Sequence, residues 1–470
     1  MPSNKETLFQ DHLCAFLSTE HNYETFESSR LLNANHIIEK DLIAFIKNTQ
    51  PNKYKELQDN FGTDADSEVI KALELSITKK ELWLIIREGL TVKGTKVLLY
   101  AQKPRSATNI SQAENYKHNT FTYKKEYYYN PNTQERIDIV IWLNGLPIIV
   151  LELKHEDEGQ DVNDAIHSSF LNRELNNPLY KNPFLYVALS NTEAKIATNP
   201  NSEKNFRWFN SSLNNKAETK GEYPVEHVYR YALSPENICH YLEHYLVFVP
   251  SKQEEVEKGE WKSTPAFTIF PRYHQFRASK SLAEDVLDFC ENKQNLGKKY
   301  LINHSAGAGK TLTIAWMADR LDSLYTSNGK KVFDNIIILT DRNALDKNVK
   351  DDLELFTHLG TKINFARKSK NLAEYLEKDR DIIVTTIHKF AHIQEKLEND
   401  KSLQNRNVAF LIDEAHRSQD GKMALTMRKF FNDEEAESSD SDEDETLKEL
   451  QKLNISNQVF VAFIATTTPK

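Results

Sequence analysis

Tyr300-Leu301-Ile302-Asn303-His304-Ser305-Ala306-Gly307-Ala308-Gly309-Lys310-Thr311 decides how the second half of this chain folds. The apolar opening reads as a strand, residues 311–321 read as a helix, and Gly307 and Gly309 sit at the junction. Such a junction presents successive backbone N–H groups at a helix N-terminus, where the helix dipole also favours an anion. A phosphate chain suits it: Lys310 would reach the outer phosphates, and the Thr311 hydroxyl would bind an accompanying Mg2+. Outward from this stretch, apolar runs at 335–339, 382–385, 409–412 and 459–464 alternate with helical segments. That alternation predicts a buried parallel sheet with crossover helices, an α/β domain.

The run at 409–412 ends in Asp413-Glu414-Ala415-His416. Both carboxylates therefore fall at the carboxyl edge of the sheet, where open α/β sheets bind ligands. Asp413 suits the shell of Mg2+, and Glu414 suits orienting an attacking water.

In the first half, apolar stretches at 137–143 and 148–153 flank Asn144-Gly145, a pair that favours a tight hairpin turn. Asp138 is the one charge inside the first strand, and Glu152 and Lys154 are the charges of the second. Residues 152 and 154 share a face because side chains alternate along a strand. A charge inside an apolar strand is costly unless it is paired or holds a metal, and carboxylates with retained waters are what Mg2+ prefers. Register matters here. A plain two-residue turn sets Asp138 opposite Leu151 and turns Glu152 to the other side. A shared site requires an odd-length loop or a bulge, such as Gly145 in a left-handed bulge position. Further strands are expected at 96–100 and 184–189. Residues 6–17 carry Leu8, Phe9, Leu13, Phe16 and Leu17 at helical spacing, with Glu6 as an additional acidic candidate. Lys124-Lys125-Glu126-Tyr127-Tyr128-Tyr129 reads as a solvated strand face rather than a DNA contact.

At 470 residues the chain is too long for one core. Domains are expected at 1–250 and 264–470, joined by a polar linker at 251–263. Cys14, Cys239 and Cys290 are scattered, which argues against a disulfide framework and a cysteine-based zinc site. No apolar run approaches the roughly 20 residues of a membrane span. Met1-Pro2-Ser3-Asn4-Lys5-Glu6 has no apolar signal region, and the mean hydropathy is −0.62, so a cytoplasmic protein with no membrane partner is expected. The net charge of −9 is local: nine acids and no base lie between Asp433 and Glu445, and 432–446 is expected to be a disordered acidic insertion. The remainder is formally neutral and neither favours nor opposes a nucleic-acid partner.

Asp138 followed by Glu152-Leu153-Lys154 resembles the PD-(D/E)xK nucleases, in which two carboxylates hold Mg2+ and the lysine positions or activates water. Gly307-Ala308-Gly309-Lys310-Thr311 with Asp413-Glu414-Ala415-His416 resembles the superfamily 2 helicases, which do not require the glycine that His304 replaces. Phe270-Pro271-Arg272-Tyr273-His274-Gln275 resembles the adenine-recognition motif of these motors, which implies that Gln275 bonds the base and that Arg272 belongs to the nucleotide site. His416 resembles the residue that couples hydrolysis to movement. Thr385-Thr386-Ile387-His388 and Thr466-Thr467-Thr468-Pro469 resemble strand-binding and lobe-linking motifs.

With Glu6-Thr7-Leu8-Phe9, Asn144-Gly145-Leu146-Pro147 and Thr340-Asp341-Arg342-Asn343-Ala344-Leu345-Asp346, these motifs are together similar to the restriction (R) subunit of type I restriction-modification enzymes. The resemblance implies a PD-(D/E)xK-type nuclease domain followed by a RecA-like superfamily 2 helicase lobe with a parallel sheet. It implies an ATP-driven translocase on double-stranded DNA that cuts away from its recognition site. Asp138, Glu152, Lys154 and Glu414 would be catalytic; Asp138, Glu152, Thr311 and Asp413 would hold Mg2+; Arg272, Gln275, Gly307, Ala308, Gly309, Lys310, Thr311, Asp413 and His416 would bind ATP. Methylation and specificity subunits are the implied partners, and S-adenosylmethionine would be used there. Two departures count. Ser168 stands where related nucleases often carry a Gln of a Gln-x-x-x-Tyr element, and the sequence ends at Lys470, just after the lobe-linking motif, so the second motor lobe is expected to lie outside it. The alternatives are a repair or defence helicase with a fused nuclease, and a nucleotide-binding scaffold with an inactive nuclease.

Overall fold

The computed structural model describes residues 4–26, 32–104, 109–130, 135–173, 176–210, 222–257, 260–293, 296–305, 309–340, 353–356, 363–366, 369–377, 381–386, 393, 406–413 and 456–466. The chain divides into two compact units, Met1–Pro104 with Asn109–His274, and the residues from Gln275 onward.

The apolar runs of the first unit become the middle of a seven-stranded sheet. Glu135–Leu143 pairs antiparallel with Phe121–Asn130 on one side and with Leu146–Lys154 on the other, and Leu185–Ser190 returns parallel to Leu146–Lys154. A parallel return needs a crossover. Val162–Asp164, running directly into a π turn at Ala165–Phe170, supplies it; the Asp161 side chain caps its start by accepting from the N–H groups of Asn163 and Asp164. Ala194–Ala197 and Arg207–Trp208 carry the sheet to its edge. The helix Asn4–His21 buries Phe9, Leu13 and Leu17, whereas Leu8, expected on that stripe, is 58% exposed.

Asn144 and Gly145 both have positive φ, 49° and 80°, as a two-residue type I′ turn requires. Leu143 pairs with Leu146 and Trp142 with Pro147, but the next pair is Ile141 with Ile149, so Ile148 is one residue extra. The bulge is therefore present, in the strand and not at Gly145. Pro147 has no N–H to give the ladder, and the register slips beside it. Beyond the bulge Ile139 pairs with Leu151, which brings Asp138 level with Glu152. Gly145 is constrained for a different reason: a Cβ there would lie 2.3 Å from the Ile38 carbonyl oxygen.

Three expectations need correction. The strand expected at 96–100 is confined to Thr95–Val97. The segment read as a solvated strand face is half inside: Tyr127 and Tyr129 are buried, Lys124 Nζ donates to the Phe26 carbonyl at 3.0 Å, and Lys125 pairs with Asp11 at 2.6 Å. The stretch expected as a linker is a hairpin, Lys252–Glu257 against Glu260–Thr264. Backbone pairing needs no apolar alternation, which is why a polar hairpin escapes a search for hydrophobic period.

In the second unit the described strands form a six-stranded parallel sheet in the order Lys298–Ser305, Gln458–Thr466, Val408–Ile412, Asn335–Thr340, Asp381–Thr386, Ile363–Phe365. Every strand expected from an apolar run is present. The helix Lys310–Asp322 follows the first strand, begins at Gly309, and buries Ile314, Trp316, Met317 and Leu321. The acidic run 432–446 lies outside the described residues.

Candidate active sites

In the first unit, two carboxylates stand side by side inside the sheet. Asp138 is 8% exposed and Glu152 is 2% exposed. Asp138 Oδ2 accepts from the Leu153 N–H at 2.6 Å, while Glu152 Oε1 is buried with no hydrogen-bond partner. Burial, reinforced by Asp138, pushes the Glu152 carboxyl well above its ordinary range; Arg173 and Lys154 oppose the shift, and the Ser169 hydroxyl stabilises the anion. Burial also raises Asp138, against the pull of the Leu153 N–H and Lys154. Two acids so placed resist carrying both charges until a cation joins them. A divalent ion fits: it would take up the orphaned Oε1 and relieve the repulsion. Among the described residues no group of three or more His, Cys, Asp or Glu gathers as a metal cluster. Two carboxylates with waters is the pattern Mg2+ accepts and zinc does not favour.

Lys154 is nearly buried, its Nζ 3.7 Å from Glu6 Oε2 and donating to the Leu153 carbonyl at 2.9 Å. Glu6, the weaker candidate, is thus beside the dyad, and burial raises its carboxyl against the pull of Lys154. Four residues were missed by the sequence reading. Gln10 donates to the Asp138 carbonyl at 3.0 Å and to Glu126 at 3.1 Å; Glu126, at φ 51°, pairs with Arg136 at 2.7 Å. Gln10 could have been found, since it lies one helical turn beyond Glu6. Ser169 is buried and faces Glu152, whereas Ser168 is exposed with its hydroxyl on the Asp164 carbonyl. The crossover position that meets the dyad is therefore 169, not 168. Arg173, four residues on, sits beside Glu152 with its guanidinium donating to the Arg136 carbonyl at 3.0 Å.

In the second unit, Gly309 adopts φ 82° as the residue before the helix, where a Cβ would come 2.8 Å from Gln275 Nε2. Gln275 is buried, and its amide donates to the Gly309 carbonyl and to Thr313 Oγ1, each at 3.1 Å. His304 Nε2 lies 3.2 Å from the same Thr313 oxygen, which also bonds the Gly309 carbonyl at 3.1 Å. His304 and Gln275 therefore meet at Thr313, in the first turn of the helix, and Gln275 bonds both Gly309 and Thr313. Lys310 Nζ is 3.0 Å from Asp413 Oδ1, with both side chains largely buried. Thr311 is half-buried in the first helical turn. Ser305 pairs with Thr466 in register, so the strand bearing Thr466 ends beside the loop. Arg272 is exposed in the first unit and lines a cleft there with Trp208. Gly307, Ala308, Glu414 and His416 lie outside the described residues, as do Asp341-Arg342, Ile387-His388 and Thr467-Thr468-Pro469.

Among the described residues no helix is long and apolar enough to cross a membrane. Residues 6–205 match the family described as type I restriction enzyme R protein N terminus, and residues 274–436 match the SWI2/SNF2 ATPase family. Over 410 residues the chain is 25% identical to the protein of Methanocaldococcus jannaschii named as the MjaVIIIP type I restriction enzyme endonuclease subunit, covering 82% of this chain and 38% of that one. It is 26% identical to the SsaAORF53P endonuclease subunit of Staphylococcus saprophyticus, over 63% of this chain and 29% of that one. It is 23% identical to the SauMSSORF170P endonuclease subunit of Staphylococcus aureus, over 80% and 38%. The chain thus spans 29–38% of the length of these three relatives. An R-protein amino-terminal match followed by a SWI2/SNF2 ATPase match, together with these relatives, supports an R subunit of a type I restriction system.

Proposed function

We propose that this chain carries the nuclease and the first motor lobe of an R subunit that translocates double-stranded DNA with ATP and cuts it, with Mg2+, away from the recognition site. The observation that carries the nuclease half is the bulge at Ile148, which levels Asp138 with Glu152 and leaves a buried carboxylate oxygen unsatisfied. The order helix, three antiparallel strands, crossover and parallel strand supports a PD-(D/E)xK fold.

Asp138 and Glu152 would hold the ion. When bound, Mg2+ supplies a more acidic water and charge neutralisation at the scissile phosphate. Lys154, two residues beyond Glu152, orients that water or a phosphate oxygen, with Glu6 steadying its ammonium. Gln10 and Ser169 hold Asp138 and Glu152 in place. In the motor, Lys310, now paired with Asp413, would hold the outer phosphates of ATP, and Asp413 with Thr311 would hold the accompanying Mg2+. Glu414 activates the attacking water. Gln275 acts on the loop as well as on the base. The methylation and specificity subunits supply recognition, and S-adenosylmethionine belongs to them.

The test is plasmid cleavage by the complete R subunit with its partner subunits, with and without ATP, comparing wild type with Glu152→Ala. ATP-dependent cutting that disappears in the variant while ATP turnover persists is the expected result. A wild type that hydrolyses ATP strongly and never cuts would move the assignment to a nucleotide-binding scaffold with an inactive nuclease.

A further inference from the structure

The sheet that carries Glu152 ends at Arg207–Trp208, and a cleft of about 500 Å³ opens beside that edge. Arg207, Trp208, Phe267 and Arg272 line it, with asparagines of the 199–205 segment, and none of its lining residues is acidic. Two guanidinium groups and no carboxylate in the lining make this a locally cationic surface. It is also aromatic: Trp208 is 49% exposed and Phe267 45%. Lys195 Nζ sits 4.2 Å from the Trp208 ring centroid and is itself fixed by Asn163 Oδ1 at 2.6 Å. A large apolar ring held at the surface beside guanidinium groups is the combination that stacks nucleobases and tracks a phosphate backbone.

Register places the cleft relative to the carboxylate dyad. Glu152 pairs with Ala188, Ala188 with Lys195, and Lys195 with Trp208, so one row of neighbours runs from the dyad to the edge. Three strand steps span roughly 14 Å at about 4.8 Å each, or about four phosphates along one strand of B-DNA at about 3.4 Å each. Residues 162–170 cover Ala188, with His167 and Ser168 exposed on their outer side.

We propose that this cleft docks one strand of the DNA being cut, a few nucleotides from the scissile phosphate, with a base stacked on Trp208 and phosphates held by Arg207 and Arg272. The inference rests on the nuclease reading above.

The experiment uses the full chain and a 5-bromodeoxyuridine-substituted single strand, measuring affinity by fluorescence anisotropy over a salt series and mapping the photo-cross-link by mass spectrometry. The expected cross-link falls on the peptide containing Trp208. Trp208→Ala should weaken binding roughly 5- to 100-fold, the range of one lost stacking contact. Arg207→Gln, a change at an exposed side chain, should weaken binding and reduce the salt slope by about one. Absence of strand binding by the full chain, binding that neither variant alters with cross-links elsewhere, or a Trp208-dependent dimer with no cross-link would each overturn the inference. Manganese binding to wild type is read in parallel. A Trp208 cross-link in a chain that takes up no manganese would count against the nuclease reading and leave the docking site standing.

Discussion

Glu152→Gln should make the metal-free chain more stable, and only at neutral to alkaline pH. Burial and Asp138 hold the Glu152 carboxyl well above its ordinary range. A folded state that keeps a proton which the unfolded chain releases is favoured by acid. Its contribution is whole below the unfolded carboxyl value of about 4.3, and it is lost as pH rises toward the folded value. Glutamine keeps the shape, has no charge to desolvate, and can donate to Asp138. Two unit charges about 5 Å apart on adjacent strands repel by roughly 3 kcal/mol at an effective dielectric constant of about 20. Arg173 and Lys154 offset part of that, which leaves a gain of roughly 1–3 kcal/mol at pH 8 and almost none at pH 4. For a unit of this size the gain corresponds to a Tm rise of roughly 3–10 °C at pH 8. Calorimetry of the full chain at both pH values, with and without Mn2+, reads it directly. Wild type should be stabilised by Mn2+ at pH 8 and the variant should not. A variant that is less stable than wild type at pH 8, or shifted equally at both pH values, would refute the picture of two mutually repelling buried acids.

Lys310→Ala removes the cation beside Asp413, and should weaken binding of a fluorescent ATP analogue by at least about tenfold while leaving Mn2+ uptake by the first unit unchanged. Gln275→Ala deletes the bonds to Gly309 and to Thr313 of the following helix, each worth about 1 kcal/mol; nucleotide affinity and the Tm of the second unit should fall together, whereas loss of affinity alone would show that Gln275 serves only the base. Gly145→Ala should cost more than about 2 kcal/mol, because a Cβ meets the Ile38 carbonyl at 2.3 Å and φ is 80°; thermal unfolding checks it, and an unchanged Tm would mean the turn relaxes freely.

The parallel sheet was legible because its central strands are buried on both faces and must be nearly continuous apolar runs. The start of the helix at Gly309 was legible because a positive φ before a helix favours glycine. Legibility stopped where structure depends on something other than apolar period. The hairpin at 252–264 is polar, so nothing in its sequence separates it from a linker. Arg272 falls within a motif that points to the nucleotide, and nothing in that motif shows that it also lines the cleft beside Trp208.

The dyad shows both limits within one site. Asp138 and Glu152 could be paired only by a bulge, and that necessity follows from the arithmetic of a two-residue turn. Its position does not: any residue between the turn and Glu152 could be the extra one, and Pro147, which withdraws a ladder N–H, selects Ile148. The crossover fails in the opposite sense. The resemblance to related nucleases points to position 168, but Ala165–Phe170 is a π turn, in which Leu171 N–H reaches back to Ile166. A π turn inserts one residue relative to α-helical counting, and position 169 rather than 168 faces Glu152. A missing glutamine at 168 is therefore weak evidence for a dead nuclease. The crossover residues that the fold brings to Glu152 are Ser169 and Arg173, four positions apart.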